Sequence, residues 1–83
     1  MAKKESIREK YTDIIECDGL NKNYTVLHML NSTNVMVQLM EHDSKSTYDA
    51  YKCIRDTDNS IKITFNAPPI ARKKFIIMAI RVD

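Results

Sequence analysis

The chain has a single glycine, Gly19, in 83 residues. One glycine cannot build the Gly-rich loop that cradles a nucleotide phosphate, so the common dinucleotide and P-loop motifs are excluded. Tryptophan is absent and aromatic residues make up only 7% of the chain, which leaves few stacking platforms for single-stranded nucleic acid. No apolar run reaches the roughly 20 residues of a transmembrane helix. The first residues are charged and carry no apolar signal core, an expectation against a secreted precursor. The formal net charge is +2, too small to grip a polyanion by itself. Two cysteines, Cys17 and Cys53, and two histidines, His28 and His42, stand at unrelated spacings and form no metal-ligand set. The two thiols read as reduced, as in a cytosolic product.

What is present is alternation. Tyr24 to His28 and Val35 to Met40 are strand-like, separated by the turn formers Asn31-Ser32-Thr33-Asn34. The two read as an antiparallel pair. Val35, Val37 and Leu39 share one face, and Met36, Gln38 and Met40 the other. Tyr11 to Cys17 reads as an edge strand of mixed character. Ile7, Tyr11, Ile14 and Ile15 also fit helical spacing, which makes a helix over 5–16 the competing reading. Asp18-Gly19 signals a turn. Glu41 to Thr47 reads as a hairpin tip, and Tyr48 to Asp56 as a strand. Ile61, Ile63 and Phe65 point inward from the next strand, with Lys62 and Thr64 outward. Pro68-Pro69 stops pairing because proline lacks the ladder N–H. Phe75 to Val82 is apolar on both faces. Phe75, Ile77 and Ala79 are on one side, and Ile76, Met78, Ile80 and Val82 on the other. Such a strand is central, covered by a second layer, or pressed against another chain.

Six short strands with turn-rich links predict a small all-β domain, an antiparallel β-sandwich or partly open barrel over residues 11–83. Residues 1–10 form a charged arm. Lys3, Lys4, Arg8 and Lys10 against Glu5 and Glu9 give 4 − 2 = +2, with Ile7 the apolar residue of note. Such an arm either frays or orders on a partner.

Catalysis requires a nucleophile, a base and an orienting group at one point. His42 has Glu41 and Asp43 beside it and Ser44 and Ser46 nearby, without a nucleophile elbow. His28 inside a strand reads as a structural histidine. The expectation is a non-enzyme without cofactor or small-molecule substrate. Candidate partner-binding residues are Lys3, Lys4, Ile7 and Arg8 of the arm, Met36 and Met40, the basic run Arg72-Lys73-Lys74, and Phe75 and Ile77. Methionines favour adaptable surfaces. The basic run either flanks an aggregation-prone strand or meets an acidic partner.

Tyr24 to Gln38 resembles a pattern of small β-domains in tailed-phage virion proteins. There an aromatic-Thr-Val-x-His-x-Leu-Asn-Thr turn leads into a Val-x-Val-Gln strand. Ile54 to Pro69 resembles the second half of that pattern, an Arg-x-Asp-x-Asn turn, an Ile-Thr-Phe strand and a proline. The closing Phe75–Val82 strand is similar too, so the resemblance covers about residues 11–82. The family is glycine-richer in its last hairpin, where this chain has Ile70-Ala71-Arg72-Lys73-Lys74. The resemblance implies a virion component: head decoration, head fibre or tail appendage. Its partners would be the major capsid protein, other virion proteins or further copies of the chain, and no membrane is implied. The alternatives are a tail or fibre part that contacts the host and a small nucleic-acid-binding module.

Overall fold

The computed structural model describes residues 9–82. Seven strands form two antiparallel sheets: β1 (Lys10–Glu16), β2 (Asn23–Leu27), β3 (Val35–Glu41), β4 (Thr47–Tyr48), β5 (Tyr51–Thr57), β6 (Ser60–Phe65) and β7 (Lys74–Arg81). The four-stranded sheet has the order β1-β7-β3-β4 and the three-stranded sheet the order β2-β6-β5. The expected all-β sandwich is the observed fold. The helical reading of 5–16 gives way to a strand from Lys10, and the Glu9 carbonyl still accepts the Arg81 N–H at 2.8 Å.

Two expectations of connectivity are corrected. β2 and β3 are not a hairpin: β2 pairs with β6, and β3 with β7 and β4. The link between them is an arch that crosses from one sheet to the other. Three of its backbone donors are taken by the β5–β6 turn. Met29 N–H reaches the Asn59 carbonyl at 3.2 Å, Ser32 N–H the Asp58 carbonyl at 2.7 Å, and Asn31 N–H the Asn59 Oδ1 at 2.8 Å. Met29 and Asn31 take positive φ, 56° and 59°, which bends the chain while His28 and Leu30 drop into the core. The second correction is at Tyr48–Asp56, expected as one strand. Tyr48 pairs with Leu39 in the first sheet and Tyr51 with Phe65 in the second, so the chain changes sheets over Asp49-Ala50.

The inner faces interdigitate as alternation requires. Val35, Leu39, Ile61, Ile63 and Phe65 are buried, as read from sequence, and Val37 is half-buried. At one end four rings gather: Phe65 lies 5.0 Å from Phe75 between centroids, Tyr48 lies 4.8 Å from Phe75, and Tyr24 meets Phe65 edge-on at 5.8 Å. Each such core side chain contributes about 1.5–3 kcal/mol of burial. β7 is the central strand of its sheet, between β1 and β3. Phe75, Ile77 and Ala79 all face the core.

Gly19 stands at φ 81°, and a Cβ there would meet the Ala71 backbone N at 3.0 Å. The β1–β2 and β6–β7 loops are thus pressed together. They exchange the bonds Cys17 N–H to Lys73 carbonyl (2.8 Å) and Arg72 N–H to Cys17 carbonyl (2.7 Å). Cys17 and Cys53 are free thiols, and burial pushes both up from the ordinary thiol range.

Candidate functional site

The outer face of the four-stranded sheet is built in three rows by strand register. Residues paired across antiparallel strands point the same way. Ile14, Ile76 and Met40 form one row, ending in Thr47. Thr12, Met78 and Gln38 form the second, and Lys10, Ile80 and Met36 the third. Six of these side chains are large and apolar: Ile14, Met36, Met40, Ile76, Met78 and Ile80. Met36 is 64% exposed, Ile14 50% and Ile80 40%. Beside Met78, a shallow depression of about 360 Å³ is lined by Met36, Val37, Gln38, Met78 and Ile80. Lys74 and Glu16 pair opposite each other at the rim.

The other outer face differs. Lys52 sits opposite Thr64, which is paired in turn with Asn23, and Thr64 Oγ1 donates to Asn23 Oδ1 at 2.8 Å. Thr25, Lys62 and Ile54 make the next row. This is an ordinary solvated sheet face. Both faces have the same backbone geometry, so the contrast lies in side-chain choice alone.

No protein-family profile, curated protein or solved structure matches this chain. The site is therefore read from its own geometry.

Of the residues singled out from sequence, Met36 and Met40 lie on the apolar face, one exposed and one half-buried. Phe75 and Ile77 do not. They are 1% and 0% exposed, sealed in the aromatic and aliphatic core, so the expected docking side of β7 is the wrong one. Alternation then turns Ile76, Met78 and Ile80 outward beside Met36 and Met40. The strand is apolar on both faces, so hydrophobicity could not tell the two sides apart. The usable signal was Phe75, the bulkiest side chain of the strand, which marks the inward parity. Ile14 was hidden by the mixed pattern of β1.

The basic run does not act as a patch. Lys73 Nζ reaches Glu41 Oε1 at 3.1 Å and lies 5.7 Å from the Phe75 ring centroid, a local ion pair with a cation–π contact. Arg72 is exposed in the loop, and Lys74 is exposed at the start of β7. Lys3, Lys4, Ile7 and Arg8 lie outside the described residues.

His28 is fully buried, and its Nδ1 accepts the Leu30 N–H at 2.9 Å. That bond places the proton on Nε2, which has no hydrogen-bond partner among the described residues. Burial holds its pKa below the ordinary value, so the ring stays neutral. It shapes the arch. His42 Nδ1 lies 3.1 Å from Asp43 Oδ1 on the hairpin tip, and Ser44 bonds Glu41 at 3.4 Å, not His42. These side chains do not converge in the way a nucleophile and its base require.

Proposed function

We propose that the chain is a non-enzymatic structural protein of a tailed-phage virion. In this reading it is a small auxiliary or decoration protein, attached to the capsid through the outer face of its four-stranded sheet. The observation that carries the attachment is the contrast between the two outer faces: six large apolar side chains in three adjoining rows on one, and on the other Lys52, Lys62, Thr25, Thr64 and Asn23 with Ile54 and Leu27 among them. A contiguous apolar face on so small a domain favours cover by a partner. The virion setting is supported by the resemblance of residues 11–82 to phage β-domains.

The face suits a broad, flat, apolar partner surface of a major capsid protein or another virion protein. A methionine in each of its three rows adapts to irregular relief. Apolar area covered there contributes about 25 cal/mol per Å² before the cost of association.

The test is Met78→Lys, at the centre of the middle row. The variant is expected to fold and to fall at least about tenfold in copy number on particles, the effect of about 1.4 kcal/mol. A folded Met78→Lys protein that occupies virions at wild-type copy number overturns the attachment face. Absence of the wild-type protein from purified particles overturns the virion role.

A further inference from the structure

The sandwich is tied shut along one long side and open along the other. On the β5 side, Arg55 donates through Nε and Nη2 to the Val35 carbonyl at 3.2 and 2.8 Å. The Tyr51 hydroxyl meets the Val37 carbonyl at 3.5 Å nearby. On the opposite side run β1 and β2, each an edge strand with a neighbour on one side only among the described residues. Between them lies a groove of about 410 Å³. Ile15, Val26 and Ile77, all buried, form its floor. Among the described residues its charged lining is Asp13 and Glu16, with no lysine or arginine. The Tyr11 hydroxyl donates to Asp13 Oδ2 at 2.7 Å and the Ile14 N–H to Oδ1 at 2.8 Å, which hold the carboxylate ionised at the mouth. Open strand edges, an apolar floor and negative charge suit an extended segment with cations around an aliphatic residue.

Such a segment is in the chain itself. Residues 1–8 carry Lys3, Lys4 and Arg8 against Glu5, a net 3 − 1 = +2, with Ile7 as their branched aliphatic residue. Eight extended residues reach about 26 Å, and the groove from Tyr11 to Glu16 runs only about 17 Å. The segment leaves the described structure at Glu9, beside the Tyr11 end of β1. To return along its own β1 it would have to reverse across Ser6 to Lys10, a stretch without Gly, Pro, Asn or Asp. A neighbouring copy meets no such demand. We propose that residues 1–8 of a second copy lie along the open β1/β2 side, with Ile7 over the apolar floor and the cations against Asp13 and Glu16. Reciprocal exchange closes a dimer, and one-way exchange makes an open chain of copies. This inference is independent of the apolar sheet face.

Sedimentation of the full chain from roughly 1 μM to 1 mM tests it. Wild type associates as concentration rises. Asp13→Lys with Glu16→Lys weakens association at least about tenfold, and so does Lys3→Glu with Lys4→Glu and Arg8→Glu, since like charges then meet. A chain carrying both sets regains association. Asp13 and Glu16 are exposed, so these variants keep the fold. Should the groove variant fail to fold, a synthetic peptide of residues 1–9 in excess decides, because it must dissociate wild-type assemblies. A wild-type chain that stays monomeric overturns the proposal. So does association unchanged by both charge sets, association lost in Met78→Lys alone, or a peptide without effect.

Discussion

Arg72 holds φ 71° in the loop before β7 and donates its N–H to the Cys17 carbonyl. A side chain in that left-handed region costs about 1–2 kcal/mol, while glycine there loses about 0.5–1 kcal/mol of extra chain entropy. Arg72→Gly is therefore expected to stabilise the domain by about 0.5–1 kcal/mol, read from the urea midpoint. A residue's backbone angle is not written in its identity unless it is glycine or proline. Gly19 could be read as a turn for that reason, and Asn31 as a turn former, whereas the positive φ of Met29 and Arg72 could not.

At the scale of elements, β7 separates two kinds of hydrophobic residue that sequence treats alike. Ile77→Lys places an unpaired charge at a 0% exposed position and is expected to unfold a domain of a few kcal/mol. Met78→Lys, one residue on, points to the outer face and should change stability by less than about 0.5 kcal/mol. Far-ultraviolet dichroism with urea titration of the pair checks this, and equal losses would reverse the assigned parity. Most strands were legible, because β3, β6 and β7 alternate strongly and their ends carry Asn, Asp, Ser or Pro. Their partners were not. Alternation fixes which residues share a face of one strand, but pairing depends on where the links send the chain. The Asn31–Asn34 cluster looks like a hairpin turn, yet its neighbours bond the distant β5–β6 turn. The apolar outer face was half legible for the same reason. Met36 and Met40 stood out on β3, while Ile14, Ile76, Met78 and Ile80 joined them only once β1 and β7 were placed alongside.

At the scale of the whole molecule, stability depends on pH through a few identifiable groups. His28 has its pKa lowered from 6.5 by burial, so the unfolded chain takes up a proton on acidification before the native state does. Stability contributed by the neutral ring is complete above the unfolded value and declines as pH falls below it. The urea midpoint should drop between pH 7.5 and 5.5 (a window set by the ordinary histidine value). His28→Asn, which keeps an acceptor for the Leu30 N–H, should show little of that slope. Asp18 acts in a more acidic window. The N–H groups of Asn21 and Leu20 and the Asn21 amide hold its pKa at about 2, so its contribution fades from about 3.8 downward.

The position of β7 also governs the order of events during synthesis. β1 and β3 sit in one sheet, yet neither touches the other, since β7 lies between them. A ribosome releases β1 first and must add some 60 further residues before the strand that joins it emerges. Until then the inner faces of β1 and β3 have no sheet to complete, and Val35, Leu39 and Ile15 wait without their cover. The three-stranded sheet, whose β5–β6 hairpin is local, can assemble earlier and shield part of that surface. Closure by a late, non-local strand makes folding slow for a chain of this size and ties it to the last strand's release.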